Sequence, residues 1–301
     1  MKSLLIISGP TATGKTSLAS KLAKKFNGEL ISADSRQIYR GMDIGTGKDH
    51  PKDMVIHMID ILNPDESFSV AQYRLLALEK IDDIISRGKL PIMVGGTGQY
   101  VDSIIRPKET FSIKPNKFLR FFLNRFPLKL LQLNLRLLDS QTFRLLNNSD
   151  RHNPHRLIRK IEIFLSLKKT SSSLPSKEES GEGLSVFHLS LTAPNSFLFK
   201  KIDKRIQNRL EDGLLKEIKK LLTKYKWSDP GMNTLAYKEF AKLNKGKSFD
   251  DCVRKWKSDE HNYVRRQKTW YKKQSNLYFI DISKNFHKQV ISIVSRWYNK
   301  I

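Results

Sequence analysis

Residues 9–16 constrain the fold of this chain more than any other stretch. Their sequence, Gly-Pro-Thr-Ala-Thr-Gly-Lys-Thr, fits the phosphate-binding P-loop pattern G-x-x-x-x-G-K-[ST]. The apolar run 4–7 precedes it and predicts a buried strand, while residues 17–26 follow with apolar side chains at helical spacing. In this context successive backbone N–H groups and a helix N-terminus form an anion site. The stretch therefore predicts a bound di- or triphosphate.

Two side chains of this loop add to its backbone donors. Lys15 contributes a point charge, and the hydroxyl of Thr16 is suited to hold a Mg²⁺ ion. The residues predicted to bind the phosphate groups are Gly9, Pro10, Thr11, Ala12, Thr13, Gly14, Lys15 and Thr16. The pattern does not by itself distinguish a diphosphate from a triphosphate.

The order of elements in the first third of the chain predicts an α/β fold. Residues 29–33, 55–60 and 90–94 are further strand candidates, and 70–87 is a helix that begins after a Ser-Phe-Ser cap. Strands that alternate with helices in this way favour a doubly wound parallel sheet. We therefore predict that residues 1–109 form the first part of a P-loop core.

Beyond residue 109 the character of the sequence changes. Residues 110–183 lack strand patterns and predict a helical insertion that ends in a mobile Ser/Lys/Glu/Gly linker at 168–183. Residues 184–301 complete the core and add basic C-terminal helices. The elements predicted there are a strand at 186–191, helices at 196–225 and 249–274, a strand at 276–281 and a helix at 286–298.

Positive charge is concentrated outside the P-loop segment. Residues 1–110 hold 15 Lys and Arg against 13 Asp and Glu, whereas the remainder holds 40 against 17 and so carries +23 of the net +25. Such an asymmetry favours a polyanionic partner, most simply nucleic acid, although basic residues can also be plain solvated surface. In 249–274 cations interleave with aromatic residues, which suits either nucleic-acid binding or a helix with one core-facing aromatic side.

Other features of the composition limit the class of protein. Cys252 is the single cysteine, which excludes a disulfide framework and a thiolate zinc cluster. No signal-peptide pattern and no apolar run of about 18 residues is present. The expectation is a soluble, cytoplasmic protein without a membrane partner, and nothing requires more than a monomer.

Carboxylates around the P-loop leave its chemistry open. Enzymes that act on nucleoside triphosphates normally place an acidic residue at the end of another core strand, yet 90–94 runs into Gly-Gly-Thr-Gly. Asp60 could substitute. Asp34, after the second strand, could be a metal ligand, a general base or part of a solvated turn. His57 is expected to be structural.

Ten motifs of the chain resemble, in order, those of the tRNA dimethylallyltransferases (tRNA isopentenyltransferases). The P-loop combined with Asp-Ser-Arg-Gln-Ile-Tyr at 34–39 is specific to that family, and the resemblance spans about residues 4–275. The motifs lie at 9–16, 34–39, 41–46, 57–60, 68–71, 95–100, 155–159, 205–209, 235–239 and 266–270. The chain departs from the family at 47–49, which is Gly-Lys-Asp where Ala-Lys-Pro is usual, and at 107–127, which matches poorly.

The resemblance implies a reaction and a set of site residues. The P-loop would hold the diphosphate of dimethylallyl diphosphate with Mg²⁺, and the dimethylallyl group would pass to N6 of the adenosine at tRNA position 37. Asp34 would be the general base, Arg209 would bind the diphosphate and Thr97 would contact the base. The residues implied to contact the anticodon stem-loop are Asp34, Ser35, Arg36, Gln37, Thr97, His155, Arg156, Leu157, Ile158 and Arg159.

Two alternatives remain on the residues alone. One is a P-loop phosphotransferase that acts on a nucleotide or small molecule, with Asp34 as its base. The other is a nucleic-acid-binding P-loop protein without catalysis. The reaction that the resemblance implies accounts for both the missing acidic strand end and the +23 remainder.

Overall fold

The computed structural model describes residues 2–48, 51, 54–106, 110, 113, 115–169, 184–243 and 246–300. They fall into two compact units, one formed by Met1–Arg106 with Gly181–Ile301 and the other by Pro107–Ser180. The insertion predicted at 110–183 overlaps the second unit. Residues 170–183, which hold most of the predicted linker, lie outside the described residues.

The larger unit is built on one six-stranded parallel sheet. The strands are β1 (Lys2–Ser8), β2 (Gly28–Ser32), β3 (Ile56–His57), β4 (Leu90–Gly95), β5 (Leu184–Thr192) and β6 (Tyr278–Asp281). They lie in the order β3-β2-β4-β1-β5-β6, and each neighbouring pair is parallel. This arrangement confirms the predicted fold class.

Helices connect and flank these strands. Those described are α1 (Lys15–Lys25), α2 (Val70–Ser86), α3 (Gly98–Ile105), α4 (Lys117–Leu123), α5 (Leu128–Leu138), α6 (Ser140–Leu145), α7 (Asn148–Arg151), α8 (Pro154–Lys169), α9 (Asn195–Glu211), α10 (Leu214–Leu221), α11 (Leu235–Phe240), α12 (Phe249–Lys272) and α13 (His287–Tyr298). Among the residues that the structure describes, no helix is both long and apolar enough to cross a membrane. Cytoplasmic localisation and a monomeric state stay predictions.

Alternate residues of β1 supply two separate cores. Leu5 and Ile7 face a core that includes side chains of α1, α9, α12 and α13, whereas Leu4 and Ile6 face one that includes α2 and α3. Because successive side chains of a strand point to opposite faces, an apolar strand covered by helices on both sides has to be apolar throughout. Helices therefore cover both faces of the sheet, as in a doubly wound fold.

Two predicted elements differ from the structure, and two short helices have no counterpart in the prediction. The strand expected at 55–60 is only two residues long, because Met58 and Asp60 adopt left-handed backbone angles, with φ of 64° and 55°. The helix expected at 196–225 is split into α9 and α10 at Gly213, whose φ of 97° cannot continue a helix. Helices α3 and α11 were not predicted, since both are shorter than nine residues.

Helix α12 uses its aromatic residues mainly for packing. Trp256 and Tyr271 are buried in the larger unit, while Arg254, Arg265 and Lys272 are exposed. Of the two interpretations of this basic, aromatic stretch, the core-facing one holds for these two rings. Of the three exposed cations, Arg254 is paired with Asp251 and Arg265 donates to Asn262.

The smaller unit is helical and has its own core. Leu131 and Leu157 are completely buried there. Glu162 is also buried, and its carboxylate accepts hydrogen bonds from Arg120 and Arg159. Burial by itself raises the pKa of this carboxyl group, but the two arginines lower it overall. The charge is thus paired inside the unit, as a buried carboxylate requires.

His188 on β5 gives the larger unit a pH-dependent stability. Its ring is 5% exposed and Nε2 lies 2.8 Å from Oγ of Ser8. Burial lowers its pKa from 6.5 to about 4. A folded-state pKa below the unfolded one means that the unfolded chain takes up the proton first, so stability is full above pH 6.5 and is lost as pH falls towards 4.

We expect the free energy of unfolding to fall by about 2 kcal/mol between pH 7.5 and pH 5 on account of this one histidine. His188→Gln keeps a hydrogen-bonding side chain but removes the titration, so the decrease should shrink by that amount. Urea unfolding of both proteins at the two pH values measures the difference. Identical pH dependence in the two proteins would show that His188 does not carry it.

Candidate active site

One cavity of 570 Å³ lies in the larger unit, where the loops after β1, β2 and β4 meet. In open α/β sheets this carboxyl edge is where ligands bind. The predicted site residues that line it are Thr11, Ala12, Gly14, Lys15, Thr16, Asp34, Ser35, Arg36, Gln37 and Arg209. The diphosphate loop and the candidate base are therefore walls of the same cavity.

The loop 9–16 is held in shape by its own chain. Gly9 has a φ of 138°, and a Cβ there would lie 2.4 Å from the carbonyl oxygen of Leu191 in β5, so only glycine fits. Thr13 Oγ1 and Lys15 Nζ both donate to the carbonyl oxygen of Pro10, at 2.8 and 2.6 Å. Helix α1 begins at Lys15. The loop thus ends at a helix N-terminus, as phosphate binding requires.

Asp34 sits on a turn that Thr97 supports. The Arg36 N–H donates to Asp34 Oδ1 at 2.9 Å, and the Ser35 N–H donates to Thr97 Oγ1 at 3.0 Å. The Thr97 N–H donates in turn to the carbonyl oxygen of Ala33, also at 3.0 Å. Thr97 is not among the residues that line the cavity, so here it shapes the turn that carries Asp34. Its contact with a substrate base stays a prediction.

Gln267 of α12 ties the two loops together. The Thr11 N–H donates to Gln267 Oε1 at 3.0 Å, and Gln267 Nε2 donates to the carbonyl oxygen of Gly96 at 2.9 Å. This side chain is 7% exposed. It links the phosphate loop to the loop before Thr97, and so fixes the distance between the two halves of the site.

The cavity is strongly electropositive. Its lining contains seven cations and two carboxylates, an excess that favours an anionic ligand. The cations are Lys15, Arg36, Lys201, Lys204, Arg205, Arg209 and Arg266, and the carboxylates are Asp34 and Glu260. Arg205 Nη1 lies 3.3 Å from Thr11 Oγ1, which brings α9 directly against the phosphate loop.

Sequence reasoning assigned Arg209 to the diphosphate but gave no role to several other lining residues. Lys201 and Arg205 precede Arg209 at intervals of four residues on α9, and that spacing indicates a helix face that presents cations to a common ligand. Glu260 and Gln267, one turn on either side of Tyr263, occupy one side of α12. Gln267 belongs to the motif at 266–270 but received no role, and no pattern marks Glu260, because only the packing of α12 shows which of its polar residues face inward.

Tyr263 is the one phenol in the cavity lining. Burial, and then the nearby negative charge of Asp34, raise the pKa of Tyr263 above its usual range. The phenol is a neutral hydrogen-bond donor in the cavity, and the charge of Asp34 lies close enough to influence it.

Two other groups weighed from the sequence lie outside the cavity lining. Asp60 pairs with Lys48, whose side chain is fully buried, so its carboxylate is already engaged. His57 lies 2.8 Å from the carboxylate of Glu29, which agrees with a structural role. Within the described ranges no three His, Cys, Asp or Glu side chains cluster as metal ligands would.

The second predicted RNA-binding stretch, 155–159, belongs to α8 of the smaller unit. His155 and Arg156 are exposed there, whereas Leu157 and Ile158 are buried in the core of that unit. Arg159 donates to the carbonyl oxygens of Thr110 and Ile113 and to Glu162. His155 and Arg156 are thus the exposed side chains of this stretch, with Arg156 paired to Asp150, and the contact of 155–159 with RNA stays a prediction.

Two family models match the chain. The one described as IPP transferase matches residues 37–274, and the one described as isopentenyl transferase matches residues 2–58. Together they include the phosphate loop, the Asp34 turn and the cationic helices that form the cavity.

Individual relatives match nearly the whole chain. A tRNA dimethylallyltransferase of Roseiflexus sp. strain RS-1 is 36% identical, with 98% of each chain covered. The same-named protein of Acetivibrio thermocellus is 39% identical over 93% of this chain and 92% of its own. Among solved structures, the tRNA isopentenylpyrophosphate transferase of Bacillus halodurans is 32% identical with a TM-score of 0.74, covering 100% of this chain and 97% of its own.

Proposed function

The chain belongs to the IPP transferase family, and on that premise we propose that it is an enzyme that prenylates tRNA. The dimethylallyl group of dimethylallyl diphosphate passes to N6 of the adenosine at position 37, next to the anticodon, and diphosphate is released. One observation carries the proposal: a phosphate loop, an excess of cations and the carboxylate of Asp34 line one cavity.

The leaving group accounts for the cations. Cleavage of the allylic C–O bond leaves both bonding electrons on the diphosphate, so negative charge grows there in the transition state. Backbone N–H groups of the lining residues Ala12, Gly14, Lys15 and Thr16 are donors at that place, together with the side chains of Lys15, Arg205 and Arg209. Donors that are already oriented stabilise developing charge without reorganising.

Mg²⁺ fits the same end of the cavity. The Thr16 hydroxyl lines it beside Lys15, and Mg²⁺ usually takes one or two protein oxygens and completes its octahedron with phosphate oxygens and water. A small oxygen donor at a phosphate loop is therefore sufficient. When bound, the ion would add charge stabilisation to the diphosphate.

Asp34 acts on the nucleophile. The exocyclic amine of adenine is weakly nucleophilic, and a carboxylate that accepts its proton both orients it and helps it to attack. The N6–C1 bond forms as the C1–O bond breaks, and the N6 proton moves to Asp34. To reach the cavity the adenosine has to leave its stack, so base flipping is expected.

The rest of the RNA would bind along the basic surfaces. Exposed cations of α12, and His155 and Arg156 in the smaller unit, are suited to backbone phosphates. This assignment also explains why +23 of the net +25 lies beyond residue 110.

Purified protein, labelled dimethylallyl diphosphate and bulk tRNA that lacks the modification test the proposal. We expect N6-(dimethylallyl)adenosine to appear in the tRNA, and none to appear with an RNA in which guanosine replaces the target adenosine. ATP turnover without prenyl transfer would instead support a phosphotransferase. Tight RNA binding without either activity would support a non-catalytic RNA-binding protein.

Asp34→Asn should lower turnover by about 10²–10⁴ because the amide cannot accept the N6 proton. The substituted side chain still offers an oxygen to the Arg36 N–H, so tRNA affinity should change by less than about twofold. Turnover and tRNA affinity are measured on the same preparation. Asp65→Asn, on an exposed position, is the matched control for the loss of one charge. Wild-type turnover in Asp34→Asn would remove Asp34 from the role of base.

A further inference from the structure

Glu217 of α10 accepts hydrogen bonds from the loop 43–45, to which the proposed function assigns no contact with either substrate. The Asp43 and Ile44 N–H groups each donate to Glu217 Oε2 at 2.8 Å. The Gly45 N–H donates to Oε1 at 3.0 Å, and the hydroxyl of Tyr237 donates to the same oxygen at 2.6 Å. Both carboxylate oxygens are thus saturated by the loop 43–45 and one buried phenol, and burial raises the pKa of Tyr237 above its usual range.

The same loop presents its carbonyl groups to the cationic helix α9. Arg209 Nη1 donates to the carbonyl oxygen of Gly45 at 3.2 Å. The carbonyl oxygen of Gly47 accepts from Arg205 Nη2 at 2.9 Å and from Gln37 Nε2 at 3.1 Å. One short loop therefore contacts two cations of the cavity and one residue of the Asp34 turn.

This contact pattern fixes direction without cancelling charge. A carbonyl oxygen holds a guanidinium in one orientation without adding a negative charge. The carboxylate of Glu260, 3.8 Å from Arg209 Nη1, balances part of the charge of that arginine. Arg209 is 8% exposed, so its orientation is determined by the groups packed around it. Long side chains lose much conformational freedom when they bind, and a side chain that is already oriented binds an anion more tightly.

We propose that Glu217 is a positioning residue for the diphosphate: it orders the loop 43–47, whose carbonyl groups aim Arg205 and Arg209 into the cavity. The inference rests on the proposed function only for the identity of the ligand. Glu217 itself is absent from the cavity lining, so it acts through the loop and the arginines.

The direction in which Glu217→Gln changes diphosphate affinity distinguishes a positioning role from a purely electrostatic one. Glu217→Gln removes a negative charge from the neighbourhood of an anion site, and long-range electrostatics alone would then tighten diphosphate binding. Positioning predicts the opposite. The amide of glutamine has one acceptor oxygen where the carboxylate has two, and its NH₂ would face N–H donors of the loop.

The experiment measures the affinity of the full chain for inorganic diphosphate with Mg²⁺ by calorimetry. We expect Glu217→Gln to weaken binding by about tenfold. Tyr237→Phe, which removes one of the four hydrogen bonds and leaves the charge, should weaken it by about two- to threefold. Glu211→Gln is the matched control, because Glu211 is an exposed carboxylate on the neighbouring helix that accepts a hydrogen bond from Gln207; this variant should bind diphosphate as the wild type does.

A second set of variants tests whether the effect passes through the arginines. In an Arg205→Ala background, Glu217→Gln should lower the affinity for diphosphate by less than about threefold, because only the orientation of Arg209 can still be lost. A tenfold cost in both backgrounds would mean that Glu217 acts by another route, and unchanged or tighter binding in folded Glu217→Gln would overturn the proposal outright. Should Glu217→Gln fail to fold, wild-type affinity in Tyr237→Phe would overturn it equally.

Different results contradict the proposed function and the role of Glu217. A wild-type protein that binds diphosphate but prenylates no tRNA contradicts the proposed function and leaves the role of Glu217 standing. A wild-type protein that does both, with a Glu217→Gln variant that binds diphosphate equally well, contradicts only the role of Glu217.

Discussion

The site depends on the parallel pairing of β1 with β4 and of β4 with β2. This pairing brings the chain after Ser8, Ser32 and Gly95 to one edge of the sheet. Those three points begin the phosphate loop, the Asp34 turn and the loop before Thr97. Strands lie about 5 Å apart in a sheet, so reactants held on adjacent loops are within reach of each other. Without this register the carboxylate and the phosphate loop would not share a cavity.

Contacts from outside the sheet then fix the loops in detail. Gln267 spans from the Thr11 N–H to the carbonyl oxygen of Gly96, and Glu217 gathers the N–H groups of residues 43–45. Gln267 uses both polar atoms of its amide, and Glu217 uses both oxygens of its carboxylate. Both residues lie on helices in the last third of the chain. The second half of the larger unit therefore completes a site whose reactive groups lie in the first half. A diphosphate leaving group needs this many fixed donors because charge accumulates on it as the C–O bond breaks.

The sequence predicted the sheet, the phosphate loop and the Asp34 turn because these depend on local patterns. Apolar runs, a Gly-rich loop and the alternation of strands with helices are visible without knowledge of packing. The split at Gly213 and the two-residue β3 were missed because single backbone angles decide them. The roles of Gln267 and Glu217 were missed for a different reason: the loops that they hold lie more than 170 residues away in sequence. The buried positions of Leu157 and Ile158 depend likewise on how the helices of the smaller unit pack.

The central claim is that the phosphate loop holds a leaving group while reaction occurs at carbon, and the fate of one oxygen atom tests it most directly. Dimethylallyl diphosphate labelled with oxygen-18 at the oxygen between C1 and phosphorus is incubated with the protein and unmodified tRNA, and the products are analysed by mass spectrometry. The account predicts that all of the label leaves in diphosphate while the tRNA gains an unlabelled dimethylallyl group. Label retained on the dimethylallyl fragment, or phosphate transferred to the RNA, would show reaction at phosphorus and contradict it.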